Sequence, residues 1–143
     1  MPTRMSPERA YEFLATGTRT GKLATTRRDG RPHVAPVWFV VDGPDLYFMT
    51  GATTVKGRSL QRDRRVALSV DLEQPPYAFV MVEGTVTIER DPEAMLAHSI
   101  AIAHRYTGAE QAEKFGRRNA VEGELLVRLR PTNIVDIDDM TGE

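Results

Sequence analysis

The sequence predicts a mostly antiparallel β-barrel with peripheral helices, mainly β and α+β in content. Short apolar segments with strand character follow one another through tight turns. Few of them are separated by the longer crossovers that a doubly wound parallel sheet requires. The 143 residues contain no repeat and no interdomain linker, so we expect one domain over residues 1–143.

The first half of the chain predicts one helix followed by three strands. The helix is predicted over 7–16, because Ser6 is a favourable N-cap residue and a proline follows it. Strands are predicted over 23–27, 33–41 and 46–50, and an Asp-Gly turn joins the first two. We expect these three strands to form a meander.

The second half predicts three more helices and four more strands, about seven strands in total. Capping residues, prolines and apolar periodicity mark the limits of these elements. The helices are predicted from Lys56, over 92–107 and over 109–119, and the strands over 65–71, 77–89, 125–130 and 133–137. Gly84 is expected to bend the longest of these strands.

Composition excludes several classes of protein. The 19 Lys and Arg residues nearly balance the 20 Asp and Glu residues, so overall charge gives no reason to bind nucleic acid or an anionic membrane. The chain has no cysteine, hence neither a disulfide nor a thiolate metal site. The N-terminus lacks the apolar core of a signal peptide, and no apolar run reaches the roughly 18 residues of a membrane helix. We therefore expect an unprocessed cytoplasmic protein.

Known catalytic motifs are missing from the sequence. It contains no G-x-S-x-G, Walker A, G-x-G-x-x-G or H-E-x-x-H motif, and its 3 histidines do not have the spacing of metal ligands. No metal is predicted, and the catalytic residues remain unassigned. A hydride-transfer enzyme is compatible with this lack, since a cofactor then carries the chemistry.

Lys56 lies in the most informative segment of the chain. It stands where a helix begins, after Thr53 and Thr54 and one turn before Ser59. Backbone N–H groups, the helix dipole and the ammonium group then face one spot, which predicts a binding site for a phosphorylated ligand. The alternative is an ordinary solvated lysine.

Two other segments are candidates for ligand contact. Pro36 removes a hydrogen-bond donor from its strand, which favours a sheet edge, a bulge or a place where a ligand replaces the neighbouring strand. Trp38 and Phe39 are adjacent, so one should face the core and the other the cleft or a dimer partner. The arginines of the 27–31 turn, together with Arg58, either contact an acidic cofactor tail or are solvated.

Four segments together resemble the small deazaflavin (F-420) dependent reductases of the pyridoxamine 5'-phosphate oxidase class. They are GKLATTRRDGRPHVAPVWFVVDG, LYFMTGATTVKGRSLQRDRRVALSV, FVMVEGTVTIERDPE and HRYTG. The resemblance covers nearly the whole chain through their order and spacing. It implies a split β-barrel of the FMN-binding type, and a homodimer whose two cofactor clefts are each built from both subunits and admit a small-molecule substrate.

The resemblance also implies the cofactor contacts. The phosphate-binding lysine of the family falls on Lys56 and its strand-end threonine on Thr50, and the ring lies along residues 34–38. The implied contacts are Val34, Ala35, Pro36, Val37, Trp38, Thr50, Gly51, Thr54, Val55, Lys56 and Ser59. Tyr77 and Phe79 are implied to approach the ring from the second subunit; burial at the dimer interface is the simpler alternative.

One departure from the family pattern bears on the choice of cofactor. True pyridoxamine-phosphate oxidases also bind the FMN phosphate with arginines, and two of these fall here on Val34 and Val55. Because each charge-assisted contact is worth roughly 1.5–3 kcal/mol, their loss disfavours FMN. The internal phosphodiester of a deazaflavin needs less neutralisation.

The leading hypothesis is therefore an oxidoreductase in which reduced F-420 passes hydride to an electron-poor organic substrate. Two alternatives stay open. One is an FMN-dependent oxidoreductase of the pyridoxamine-phosphate-oxidase type. The other is a non-catalytic protein that binds a flavin or a tetrapyrrole.

Overall fold

The computed structural model describes residues 1–142, in which four helices surround a seven-stranded antiparallel sheet. The helices are α1 (Pro7–Ala15), α2 (Val55–Arg62), α3 (Pro92–Thr107) and α4 (Ala112–Asn119). The strands are β1 (Gly21–Thr26), β2 (Pro32–Val37), β3 (Phe39–Asp42), β4 (Asp45–Gly51), β5 (Arg65–Asp71), β6 (Phe79–Glu89) and β7 (Glu124–Ile137). The order across the sheet is β2-β1-β5-β6-β7-β4-β3.

The sheet closes on itself at Trp38. β2 and β3 lie at opposite edges of the sheet, yet this one residue joins them, so the two edges must meet there. Within residues 1–142 the two strands do not pair with each other, which leaves a slit in the barrel wall. The predicted split β-barrel with peripheral helices is confirmed.

The prediction of one strand over 33–41, and of a three-stranded meander, is wrong. The chain changes pairing partner at Trp38: β2 pairs with β1, and β3 pairs with β4, so two separate hairpins form. Burial still alternates through this point, since Val37 and Phe39 are buried and Trp38 is exposed. The sequence pattern therefore continues although the pairing does not.

At the other end of the chain, two predicted strands are one. β7 runs through Pro131, which lies opposite Gly84 of β6, and the pairing register shifts between Glu83 and Gly84. This irregularity accommodates a proline that cannot donate to the ladder. A Cβ at Gly84 would lie 2.2 Å from the carbonyl oxygen of Arg130, so the strands approach too closely there for a side chain. The predicted bend at Gly84 is confirmed.

The predicted helices form, and their caps match the sequence signals. The Ser6 side chain accepts a hydrogen bond from the backbone of Arg9, and Asp91 caps α3 in the same way. α4 begins at Ala112, three residues later than predicted. Across residues 1–142, no helix has both the length and the apolar character needed to cross a bilayer.

The barrel interior holds the core, and α1 packs against it with Phe13 and Leu14. The core side chains come from alternate positions of the strands, as expected for a sheet with one buried face. Among the fully buried ones are Leu23, Phe39, Leu46, Phe48, Leu68, Val80, Val82, Val127 and Leu129.

Arg105 fastens α3 to the barrel. Its guanidinium donates hydrogen bonds to the carbonyl oxygens of Phe39 at 2.7 Å, Leu14 at 2.8 Å and Gly17 at 2.9 Å. It also lies over the Phe39 ring, 4.6 Å from its centroid. One half-buried cation thus joins α1, β3 and α3.

We expect Arg105→Ala to lower the free energy of unfolding by about 2–4 kcal/mol, because three carbonyl groups lose a charged donor. Urea denaturation followed by circular dichroism measures this loss. Arg90→Ala, which removes an exposed arginine, is the matched control and should leave stability nearly unchanged. Equal stability of the two variants would contradict the role given to Arg105.

Candidate functional site

Helix α2 begins against the end of β4 through a compact set of hydrogen bonds around Thr54. The Thr54 hydroxyl donates to the Gly51 carbonyl at 2.8 Å and accepts from the Gly57 N–H at 3.1 Å. It also lies 3.1 Å from the hydroxyl of buried Thr50. The N-cap of α2 is therefore fixed from beneath, and Thr50 supports it.

Gly57 permits this close approach. A Cβ at this position would lie 2.0 Å from the carbonyl oxygen of Gly51, a distance that no side chain tolerates. The first turn of α2 is thus pressed onto the end of β4. Neither residue has a positive φ, so steric room is what requires glycine here.

The N-terminus of α2 carries uncompensated positive potential. Residues Val55 and Lys56 occupy its first two positions, where backbone N–H groups have no intrahelical acceptor. The first turn has no acidic residue. Within residues 1–142, the Lys56 ammonium has no carboxylate within ion-pair distance, 4.0 Å. This end of the helix can bind an anion.

A cleft of about 340 Å³ opens beside Lys56. One wall is the junction of β2 and β3, and the opposite wall comes from α3 and α4. The lining residues are Pro36, Val37, Trp38, Met49, Lys56, Ser99, Ile102, Ala103, Asn119 and Glu124. The cleft therefore combines an apolar wall with four polar residues, among them one cation and one carboxyl, which suits a flat ring carrying a phosphate.

Trp38 is held in place at the cleft wall. Its ring stacks on Tyr106 with centroids 4.9 Å apart and planes 5° from parallel. The Tyr106 hydroxyl donates to the carbonyl of Arg19 and accepts from the N–H of Phe39. Burial raises the pKa of Tyr106, which keeps this hydroxyl protonated. Phe39, by contrast, is fully buried. Of the two adjacent aromatic residues, Phe39 therefore faces the core and Trp38 the cleft, as expected.

A second concavity, the basic groove, lies along the other side of α2 and encloses about 730 Å³. It is lined by Arg27, Arg28, Arg31, Val55, Arg58, Ser59, Gln61 and Arg62. Only Arg31 of these arginines has an acidic partner within residues 1–142, Asp29 at 2.8 Å. The groove is therefore strongly positive, although the chain as a whole is not.

The cleft and the basic groove meet at the start of α2, because consecutive residues line them: Lys56 the cleft and Val55 the groove. Arg62 at the other end of α2 donates to the carbonyl of Thr26, which holds the helix against the 27–31 turn. A ligand with a ring, a phosphate and an acidic tail would find a matching surface in that order.

The structure brings together most of the predicted site residues. Pro36, Val37, Trp38 and Lys56 line the cleft, Val55 and Ser59 line the groove, and Thr50, Gly51 and Thr54 form the support of α2. Val34 and Ala35 line neither concavity, and Val34 is 66% exposed on the outer side of the sheet. Tyr77 and Phe79 also lie outside both, so their contact with a ring from a second subunit stays a prediction.

Sequence reasoning missed Glu124, the first residue of β7. It pairs with Gly51 in the sheet register and lines the cleft near Lys56. Its Oε2 atom is buried and has no hydrogen-bond partner within the described chain. Burial raises the pKa of this carboxyl, and nearby Lys56 opposes the shift. No local sequence pattern identifies Glu124 as a site residue, because its position depends on strand pairing.

His98 has structural partners. His98 lies 3.0 Å from a carboxylate oxygen of Asp42 and stacks on the Tyr47 ring at 3.9 Å. Among residues 1–142, no group of three or more His, Cys, Asp or Glu residues is placed to hold a metal ion.

Residues 7–132 match the profile of the family described as pyridoxamine 5'-phosphate oxidase. The chain belongs to this family. The predicted membership of the pyridoxamine 5'-phosphate oxidase-like split-barrel superfamily, which includes flavin-binding oxidoreductases, is thereby confirmed. The match spans α1 to β7 and includes α2 with both concavities. A comparison with curated proteins finds no match to the chain.

Solved structures of similar proteins extend this result. A conserved hypothetical protein, Rv2991 from Mycobacterium tuberculosis, is 26% identical with a TM-score of 0.85, over 98% of this chain and 88% of that one. A structure described as an F420 reductase is 30% identical with a TM-score of 0.68, over 87% of this chain and 95% of that one. HutZ, a haem storage protein of Vibrio cholerae, is 21% identical with a TM-score of 0.71, over 96% and 97%, and shows the shared fold alone.

We expect Gly57→Ala to lower the free energy of unfolding by about 1–3 kcal/mol, since its methyl group would overlap the Gly51 carbonyl and push α2 away from β4. Chemical denaturation measures this change. Arg58→Ala, at an exposed position of the same helix, is the control. A Gly57→Ala protein as stable as the Arg58→Ala protein would show that the close contact is not required.

Proposed function

We propose that this pyridoxamine 5'-phosphate oxidase family member is a homodimeric oxidoreductase that uses reduced coenzyme F-420 to transfer hydride to an electron-poor organic substrate. One observation carries the proposal: the start of α2 joins a cleft with an apolar wall to the basic groove. This arrangement suits a molecule that combines a flat ring, a phosphodiester and an acidic tail. The F420 reductase that is 30% identical over 87% of the chain supports the same choice.

The residues around α2 fit such a cofactor. The Lys56 ammonium and the N–H groups of Val55 and Lys56 would bind the phosphate, and the arginines of the basic groove would face the tail. Within residues 1–142, β2 pairs only with β1, so its other edge offers free backbone groups along residues 34–38. The ring would lie against these groups and beside Trp38.

FMN fits less well, because valines stand where family oxidases have arginines. Val55 is 46% exposed at the start of α2, and Val34 is 66% exposed on β2. Both positions are thus open to a ligand or a second subunit but contribute no charge. Neutralising a terminal phosphate would be left to Lys56 and the groove arginines.

The cofactor, when bound, supplies the hydride. The protein residues would position the cofactor and exclude water. Lys56 would bind the phosphate, and the stacked Trp38 and Tyr106 rings would form a rigid wall. Ile102 and Ala103 would exclude water from the opposite side. An electron-poor small molecule would approach over the open face of the ring.

The proposed dimer would use the outer face of the sheet. Three apolar side chains on this face are exposed: Val34 by 66%, Met81 by 43% and Val135 by 38%. Met81 and Val135 are directly opposite in the β6–β7 register, and Val34 lies opposite Ala24 of β1. Because β2 carries both Val34 and the cleft residue Pro36, a second subunit on this face would adjoin the cleft.

The cofactor proposal predicts that F-420 binds and that Lys56→Ala weakens its affinity about 10- to 150-fold, equivalent to the loss of roughly 1.5–3 kcal/mol. Trp38 is the single tryptophan of the sequence and lines the cleft, so quenching of its fluorescence reports ligand binding in the cleft. Titrations with F-420 and FMN side by side measure both affinities.

Lys114→Ala, which removes an exposed lysine from α4, is the matched control and should leave both affinities unchanged. Tighter binding of FMN than of F-420 would favour the FMN-dependent alternative. Tight F-420 binding without turnover on quinones, enones and nitro compounds would favour a non-catalytic carrier.

The dimer proposal predicts that Met81→Asp yields monomers and weakens F-420 binding at least tenfold, since a charge in an apolar interface has no partner and the cleft loses the contacts that the second subunit would add. Light scattering coupled to gel filtration gives the molecular mass, and the titration above gives the affinity. Val121→Asp, at an exposed apolar position away from this sheet face, is the control. A dimeric Met81→Asp protein with full affinity would refute this interface.

A further inference from the structure

Glu124 occupies a fixed place beside the proposed phosphate site. The Glu124 N–H donates to the carbonyl of Val121 at 3.1 Å, and the carbonyl of Gly123 accepts from Ala52 at 2.8 Å. Glu124 also pairs with Gly51, whose carbonyl holds the N-cap of α2. The backbone of Glu124 is thus held at the same strand end that positions Lys56.

One oxygen of this carboxyl lacks a hydrogen-bond partner within residues 1–142. Its Oε2 atom is buried without a hydrogen bond, and lies 3.5 Å from where a Cβ on Gly51 would be. In a folded protein such an orphaned oxygen calls for an explanation, most often a missing ligand, water or proton.

Few charged groups face this carboxyl. Of the residues lining the cleft, only Lys56 from α2 is charged besides Glu124. β2 and β3 contribute Pro36, Val37 and Trp38, β4 contributes Met49, and α3 and α4 contribute Ser99, Ile102, Ala103 and Asn119. Lys56 does not approach within ion-pair distance in the described chain, and burial already favours the protonated carboxyl.

A phosphate bound at Lys56 would change this balance further. It would take up the positive charge that now favours the carboxylate, and would place a like charge in the same cleft. The carboxylate would then be repelled, whereas the neutral acid would be tolerated and would offer an O–H donor. A phosphate and an ionised Glu124 therefore disfavour each other.

From this geometry we infer that binding of a phosphodiester ligand at Lys56 is coupled to protonation of Glu124, which then acts as a hydrogen-bond donor in the cleft. The inference rests on the proposed function for the position of the ligand. The proton comes from solvent on binding and returns to solvent on release. Glu124 would thereby select a ligand by its charge at this point.

Linkage gives the sign of the pH effect. Affinity should be constant below the pKa of Glu124 in the free protein and fall as pH rises above it, by up to about tenfold per pH unit for one proton. The fall should end at the higher pKa of the complex. Ionisation of groups on F-420 itself adds the same slope for every variant, so the contribution of Glu124 is the difference between the native and Glu124→Gln profiles.

The test measures F-420 affinity between about pH 5 and pH 9 through Trp38 emission, for the native chain, Glu124→Gln, Glu124→Ala and the exposed control Glu122→Gln. We expect both Glu124 variants to lose the pH-dependent step. Glu124→Gln should bind roughly tenfold more tightly than the native chain at the alkaline end, and Glu124→Ala less tightly than Glu124→Gln because it lacks a donor. Glu122→Gln should follow the native profile.

Calorimetry supplies a second readout that needs no turnover. Titrations in buffers of different ionisation enthalpy should show that the native chain and Glu122→Gln take up as much as one proton per site more than Glu124→Gln does. Thermal denaturation confirms that each variant is folded.

The outcomes separate this inference from the proposed function. Superimposable pH profiles of the native chain and Glu124→Gln, with binding still dependent on Lys56, would overturn the role of Glu124 and leave the cofactor proposal standing. If only FMN binds, the same comparison with FMN decides the role of Glu124 through the difference between the two profiles. No Lys56-dependent binding of either molecule would overturn both.

Discussion

The close contact between α2 and the end of β4 is the constraint on which the site depends. Gly57 lets the helix approach the Gly51 carbonyl, and Thr54 caps the helix through that same carbonyl. This contact fixes the direction of the helix N-terminus, and with it the free N–H groups and the ammonium of Lys56. Two concavities of different character meet there only because the helix is held at this point.

The distribution of charge matters more here than its sum. The chain is almost neutral, yet five arginines lie along one side of α2, while the adjoining cleft has an apolar wall and a single cation. An extended anion would meet complementary groups along one part of its length and apolar walls along another. Such a division orients a ligand as well as holding it, since reversing the ligand would place its ring among guanidinium groups.

Local signals in the sequence were sufficient for the helices, and less so for the barrel. Ser6 and Asp91 with their following prolines mark α1 and α3, and Lys56 was placed correctly at a helix start. The split at Trp38 could not be predicted, because alternation of burial does not reveal which strand a residue pairs with. Glu124 shares this limit, since it is brought to the site by pairing between distant segments.

Trp38 belongs both to the barrel and to the cleft, which links ligand binding to the stability of the domain. The residue is both the single link between the two sheet edges and a wall of the cleft. A ligand bound in the cleft would contact the barrel where its two sheet edges meet and would oppose their separation. Its binding free energy would therefore add to the stability of the whole domain. The empty form would accordingly open most readily where the two sheet edges meet. A ligand would then enter through the same opening that begins unfolding.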